Sequence, residues 1–233
     1  METHVTKRDW AVLLGKGTLG AIPVVGPLAA EVLGAIIPNQ RLDRIESLLH
    51  MLEARLSGLD RNQIESRFRN PEFVDLLEDG MQQASRALDS MRIEHIATLL
   101  KNSIADEDLK RLQDKRLLAL LGELNDVEIM LLNSYTLERR QDLAFNSTHR
   151  HILSGPLESS EATQEHIDAA AIYAEYHNHL VRLGLLNRQY RTPHEGEWEI
   201  DENTGTLEAA GHTVTPLGRL LLRRIDLLKP GER

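Results

Sequence analysis

Residues 13–24 read LLGKGTLGAIPV, and the reading of this run decides between two kinds of fold. Gly15, Gly17 and Gly20 follow the apolar residues AVLL at the spacing G-x-G-x-x-G, which serves both dinucleotide-binding turns and the glycine loop of protein kinases. A dinucleotide site needs a strand before the glycines and an unbroken helix after them, because the pyrophosphate rests on that helix's N-terminus. Pro23 and Pro27 fall where the helix would run, and the next hundred residues carry helical rather than strand periodicity, so the α/β reading fails. A kinase would also need H-R-D and D-F-G, neither of which occurs, and a Walker loop would need glycine where Trp10 stands. The run is therefore read as apolar helical material, with no cofactor and no catalytic residue assigned.

Residues 10–38 as a whole contain only two charges, Lys16 and Glu31. Gly15, Gly20, Gly26 and Gly34 are small residues on an apolar background, which permits close approach of a backbone to another helix or to lipid. A single membrane span is compromised, since both prolines lie mid-segment and Glu31 would be costly in hydrocarbon, so a broken helical hairpin is expected. Such a segment must be covered by the protein's own core, by a membrane or by another subunit. Leu19, Ile22, Val24, Val25, Leu28, Val32, Leu33, Ile36 and Ile37 are the residues expected to make that contact.

The rest of the 233-residue chain supports a helical protein. Hydrophobic residues make up 41% but aromatics only 4%, so the core is expected to form from aliphatic helix faces. Twenty-seven Lys and Arg stand against 36 Asp and Glu, giving a net charge of -9 without a basic block, a poor starting point for neutralising nucleic-acid phosphates. With no cysteine, disulfides, thiolate metal sites and cysteine nucleophiles are excluded. Lys16 interrupts the apolar run that follows METHVTKRDW, so no cleaved targeting peptide is read, and the expected location is cytoplasmic, peripheral to the membrane at most.

Residues 41–56, RLDRIESLLHMLEARL, put Leu42, Ile45, Leu48, Leu49, Leu52 and Leu56 on one stripe, which predicts an amphipathic helix. Asn70 and Pro71 read as an N-cap and first-turn proline opening a helix through Leu88, and another is expected from Met91 to Ile104. Asp106, Glu107 and Asp108 suit the first turn of a further helix carrying Leu112, Leu117, Leu120, Leu121 and Leu124. Asn125, Asp126 and Glu128 then form an N-cap with an acidic first turn. After a polar stretch a long helix runs from about Ser160 to Leu183 and stops at Gly184. An extended region with Trp198 and Ile200, the turn DENTG at 201–205, and GHTVTPLGRLLLRRIDLL complete a hairpin and a last helix. The expected fold is mostly α. A helical bundle over 1–110, with the glycine-rich apolar segment at 10–38, precedes a winged-helix-like α+β module with a small β-hairpin over 111–233.

In outline the chain resembles a widespread group of uncharacterised bacterial proteins. The resemblance is carried by AIPVVGPLAAEVLGAIIP, RLDRIESLLHMLEARL, RLLALLGELNDVEIMLLNSY, and LVRLGLL with TPLGRLLLRRI. It implies architecture and brings no activity or catalytic residue with it.

Site chemistry is sparse. His149 and His151, like His177 and His179, are two apart and so lie on different helix faces, whereas a helical metal pair needs three or four, and no metal site is assigned. Glu161, Glu165, Asp168 and Glu175 against Arg182 make the long helix a poor reader of a DNA groove. Arg219, Arg223 and Arg224 form the best basic cluster and are the candidates for phosphate or lipid head-group contacts. Arg44 and His50 occur as R-x-x-x-x-x-H, a spacing that resembles the ribonuclease motif of helical HEPN domains. The leading expectation is a non-enzymatic interaction protein with a protein partner or a second copy of itself and no small-molecule substrate. In a bacterium it would suit a stress or antiphage defence sensor or effector with conditional membrane association. A DNA-binding regulator that dimerises through its helical half is the alternative, and a HEPN-like ribonuclease the weaker one.

Overall fold

A computed structural model describes residues 42–105, 111–155, 163–190, 200, 207, 209–229 and 231. Residues 10–38, with all nine apolar contact residues named above, lie outside the described residues, as do Asp106 to Asp108, Trp198 and the DENTG turn. The described chain is mostly helical with one two-stranded antiparallel sheet. It divides into two compact units, 1–123 with 224–226, and 124–223 with 227–233.

The first unit is built from α1 (Leu42–Leu56), α2 (Arg61–Phe68), α3 (Pro71–Arg86), α4 (Ser90–Ala105) and α5 (Arg111–Glu123). The expected stripe on α1 buries Ile45, Leu48, Leu49, Leu52 and Leu56, while Asp43 and His50 stay in water. α1 packs mainly on α4, whose Ile96, Ala97, Leu99 and Leu100 are fully buried, and α3 and α5 close the bundle. Burying each leucine of this core contributes roughly 1.5–3 kcal/mol of transfer free energy. Asn70 caps α3 as expected: its side chain accepts from the Glu72 and Phe73 N–H groups, with Pro71 in the first turn, where its missing N–H costs nothing. α2 has no counterpart among the expected helices. Only its Ile64 and Phe68 are buried, too few to mark a period, and the helix is fixed by Asp60, whose carboxylate accepts from Asn62 at 2.8 Å and Gln63 at 3.3 Å.

The second unit comprises α6 (Asp126–Ser134), the short helices α7 (Leu137–Gln141), α8 (Leu143–Thr148) and α9 (Arg150–Leu153), α10 (Gln164–Arg182), β1 (Leu186–Tyr190), β2 (Ala209–Val214) and α11 (Pro216–Arg224). Its apolar centre is Leu131, Leu132, Leu180, Leu185, Leu186, Leu221 and Leu222, all at most 1% exposed. Gly184 ends α10 with φ +72°, a left-handed conformation that favours glycine. The Gly184 N–H donates to the Val181 carbonyl and the Leu185 N–H to the Leu180 carbonyl, both at 2.9 Å, the paired bonds of a Schellman stop. That stop turns the chain directly into β1, so the first strand begins two residues after the helix signal. β1 pairs with β2 from Leu186 opposite Val214 to Tyr190 opposite Ala209, with an irregularity between Gln189 and Tyr190. An isolated bridge joins Ile200 to Leu207.

Candidate functional site

The polar side chains of the second unit converge at one place. Tyr135, the C-cap of α6, donates its hydroxyl to His177 Nε2 at 2.9 Å. His177 Nδ1 lies 3.0 Å from the Tyr173 carbonyl one turn earlier on α10, and a carbonyl only accepts. The Nδ1 nitrogen therefore carries the proton and Nε2 is left as the acceptor for the phenol, which fixes the tautomer. His177 is 7% exposed. Tyr173 packs its ring edge on His177 at 4.7 Å and donates its hydroxyl to the Leu153 carbonyl at 2.9 Å, tying α9 to α10.

The sheet contributes His212, whose ring lies 4.9 Å from that of His177 and 5.7 Å from that of Tyr135. Strand alternation puts His212 and Arg188, directly opposite each other, on one face. Arg188 is held by the Asn178 side-chain carbonyl at 2.5 Å, and Arg140 of α7 donates to the His212 backbone carbonyl at 2.6 Å while its guanidinium lies over the Tyr135 ring. Burial, the neighbouring Tyr173 and, in opposition, Arg140 set the Tyr135 phenol, which is pushed up to about 12, so it is a neutral hydrogen-bond donor. Burial pushes the Tyr173 phenol up as well. Burial first, then His177 and Arg188, push His212 down to about 4, so its imidazole is uncharged at neutral pH.

Beside this cluster, Glu128 of α6 is 3% exposed and joins two jobs. One carboxylate oxygen accepts the Asn125 N–H at 2.8 Å, completing a capping box with the Asn125 side chain, and the other meets His179 Nδ1 of α10 at 2.6 Å.

The residues singled out from sequence are distributed as follows. Arg219 donates to the Val214 carbonyl at 2.7 Å, Arg224 pairs with Asp114 at 2.9 Å, and Arg223 is half-buried. Arg44 donates to the Ser85 carbonyl at 3.2 Å, whereas exposed His50 lies 3.6 Å from Glu46, so each has its own partner. His149 packs on Phe145, and His166 caps its own helix beside Thr163. Among the described residues no group of three His, Cys, Asp or Glu side chains is placed to hold a metal ion, and no helix is long and apolar enough to cross a membrane.

The cluster members Tyr135, Arg140, Arg188 and His212 carry no local motif. Arg188 and His212 come together only through the strand register, since neither LNRQY nor AAGHTV alternates in burial. Comparison with protein-family models, with curated proteins and with solved structures gives no match for this chain.

Proposed function

We propose that the protein is a non-enzymatic interaction protein whose C-terminal unit docks a protein partner through the exposed face of α10. The observation that carries this reading is the exposure of that helix: every residue from 163 to 169 faces water, and Ile167 and Ile172 are 52% and 54% exposed. Half-exposed isoleucines set beside carboxylates give this solvated stretch a mixed apolar and acidic surface, the composition this reading assigns to the contact. Helical spacing puts the two isoleucines on either side of a ridge formed by Asp168 and Glu175. The fitting partner presents apolar contacts around a basic strip. The succession of α6, α10, a hairpin and α11 favours a winged-helix-like module in which the acidic α10, unsuited to phosphate, meets protein instead of DNA.

A photo-reactive amino acid at Ala171, between the two isoleucines, tests this. We expect a discrete cross-linked adduct in cells, reduced at least tenfold when Asp168 and Glu175 are replaced by Lys, in keeping with the several kcal/mol that like-charge juxtaposition costs at an interface. No adduct, or one indifferent to charge reversal, overturns the reading.

The same proposal gives residues 10–38 the role of a conditional membrane or subunit contact. Its support is the sequence alone, two charges in that whole stretch. Flotation with liposomes is expected for the wild type and lost in Leu33→Glu; failure of both to float overturns the membrane role. In a bacterium, a partner-sensing module joined to such a segment suits stress or antiphage defence.

A further inference from the structure

Arg140 and Arg188 carry permanent charge, and both stand against His212 from different elements, α7 and β1. Among the described residues neither guanidinium has a carboxylate partner: Arg140 is held by a carbonyl and an aromatic ring, Arg188 by an amide oxygen. Three carboxylates of the same unit are engaged with other cations, Glu128 with His179, Asp142 with Arg139 and Glu175 with Arg182. Each guanidinium spends one of its five N–H donors on its oxygen partner, leaving the rest for a ligand. The ring nitrogens of His212 make no hydrogen bond to any described residue, although the ring itself is fixed between Tyr135 and His177. Two cations and an imidazole whose ring nitrogens are unspent, without a counter-charge among the described residues of a chain of net charge -9, form a place where an anion would be stabilised from several sides.

We propose that Arg140, Arg188 and His212 form a binding site for a phosphate-class anion, backed by Tyr135 and His177. The ligand is a free phosphate monoester or the phosphate of a lipid head group, which share the chemistry the two guanidinium forks recognise. Tyr135 and His177 use their own donors on each other and on the Tyr173 carbonyl, so they hold the His212 ring and do not touch the anion. Among the described residues, the charged and titratable groups facing His212 are Arg140 from α7, Arg188 from β1, His177 from α10 and Tyr135 from the end of α6, none of them acidic at neutral pH. Burial first, then His177 and Arg188, give the depressed His212 basicity described above. An anion would reverse that effect, and binding would take up a proton there.

The test uses the full chain labelled for NMR, its histidine ring resonances followed through a pH titration with inorganic phosphate or with chloride at equal ionic strength. We expect phosphate, and not chloride, to move the His212 resonances and raise its titration midpoint, and Arg188→Gln to weaken the response about tenfold while Arg188→Lys retains most of it. Arg140 is exposed, so Arg140→Gln supplies the same reading if Arg188→Gln fails to fold. A second arm compares flotation with phosphatidylcholine vesicles with and without phosphatidic acid. Binding to phosphatidic acid that Arg188→Gln or Arg140→Gln abolishes, with no response to free phosphate, identifies a lipid source. No response in either arm, or a response undiminished in both glutamine variants, overturns the site.

Discussion

Gly218→Ala is expected to destabilise the second unit by about 2–4 kcal/mol, lowering its melting temperature by about 10–20 °C, with Gly218→Val worse. A Cβ at this position would lie 2.5 Å from the Leu185 carbonyl oxygen, 2.9 Å from Val214 Cγ1 and 3.3 Å from Leu132 Cδ1. The side chains have some freedom to yield, but the carbonyl does not, because it accepts the Thr215 N–H at 3.0 Å and so fixes the start of β1 against the start of α11. Thr215 adds two bonds at the same junction, donating its hydroxyl to the Gly184 carbonyl at 2.7 Å and accepting the Gly218 N–H at 3.0 Å. Relief of the clash requires moving α11 away from Leu185, which breaks this set together. The gain in helix propensity from glycine to alanine is about 1 kcal/mol and is outweighed. Thermal melts combined with amide exchange at Leu186 and Thr215 check the prediction; an alanine variant that melts and exchanges like the wild type removes the junction from the account.

What was legible in the chain was local. Asn70 with Pro71, and Asn125 with Glu128, announce helix starts within four residues, and both act as caps. The aliphatic stripe of α1 repeats often enough to be read without knowing its neighbours. Gly184 signals a stop through the one conformation that favours glycine. The three short helices between 137 and 153 were not legible, because four to six residues are too few for a period; Thr136 and Asp142 cap the first two, and the third has no side-chain cap. The polar cluster was hidden for a different reason. Tyr135 and His177 are 42 residues apart, and Arg140 and His212 are 72 apart. Their meeting depends on the register that sets Arg188 opposite His212, a property of the strand pairing and not of either segment. The histidine spacings on α10 exclude a metal pair along the helix but say nothing of a third histidine arriving from a strand.

Replacing Glu128 with alanine is expected to cost about 3 kcal/mol, and to loosen α6 and α10 together. The carboxylate is almost fully buried, and each of its oxygens has a separate duty, one closing the capping box on the Asn125 N–H, the other bonding His179 Nδ1. Loss of the cap costs about 1 kcal/mol, and loss of a charged hydrogen bond with its partner left behind costs about 1.5–3 kcal/mol. Part of this is offset because the variant no longer desolvates a carboxylate. Glu128→Gln keeps an acceptor for Asn125 but turns an amide donor toward His179 Nδ1, which can take it only by moving its own proton to Nε2, so about 1–2 kcal/mol is expected there. His179→Ala alone is the milder change, since that side chain is 23% exposed and its loss leaves the cap intact. A double-mutant cycle between Glu128→Ala and His179→Ala in denaturant unfolding separates the two duties: a coupling of about 1–2 kcal/mol assigns the excess to the link with α10. Additive costs would place the whole effect in the cap and leave the position of α10 to its apolar contacts at Leu180. Because Tyr173 and His177 ride on the same helix, a real coupling also predicts that Glu128→Ala shifts the His212 ring resonances, although no contact joins Glu128 to His212.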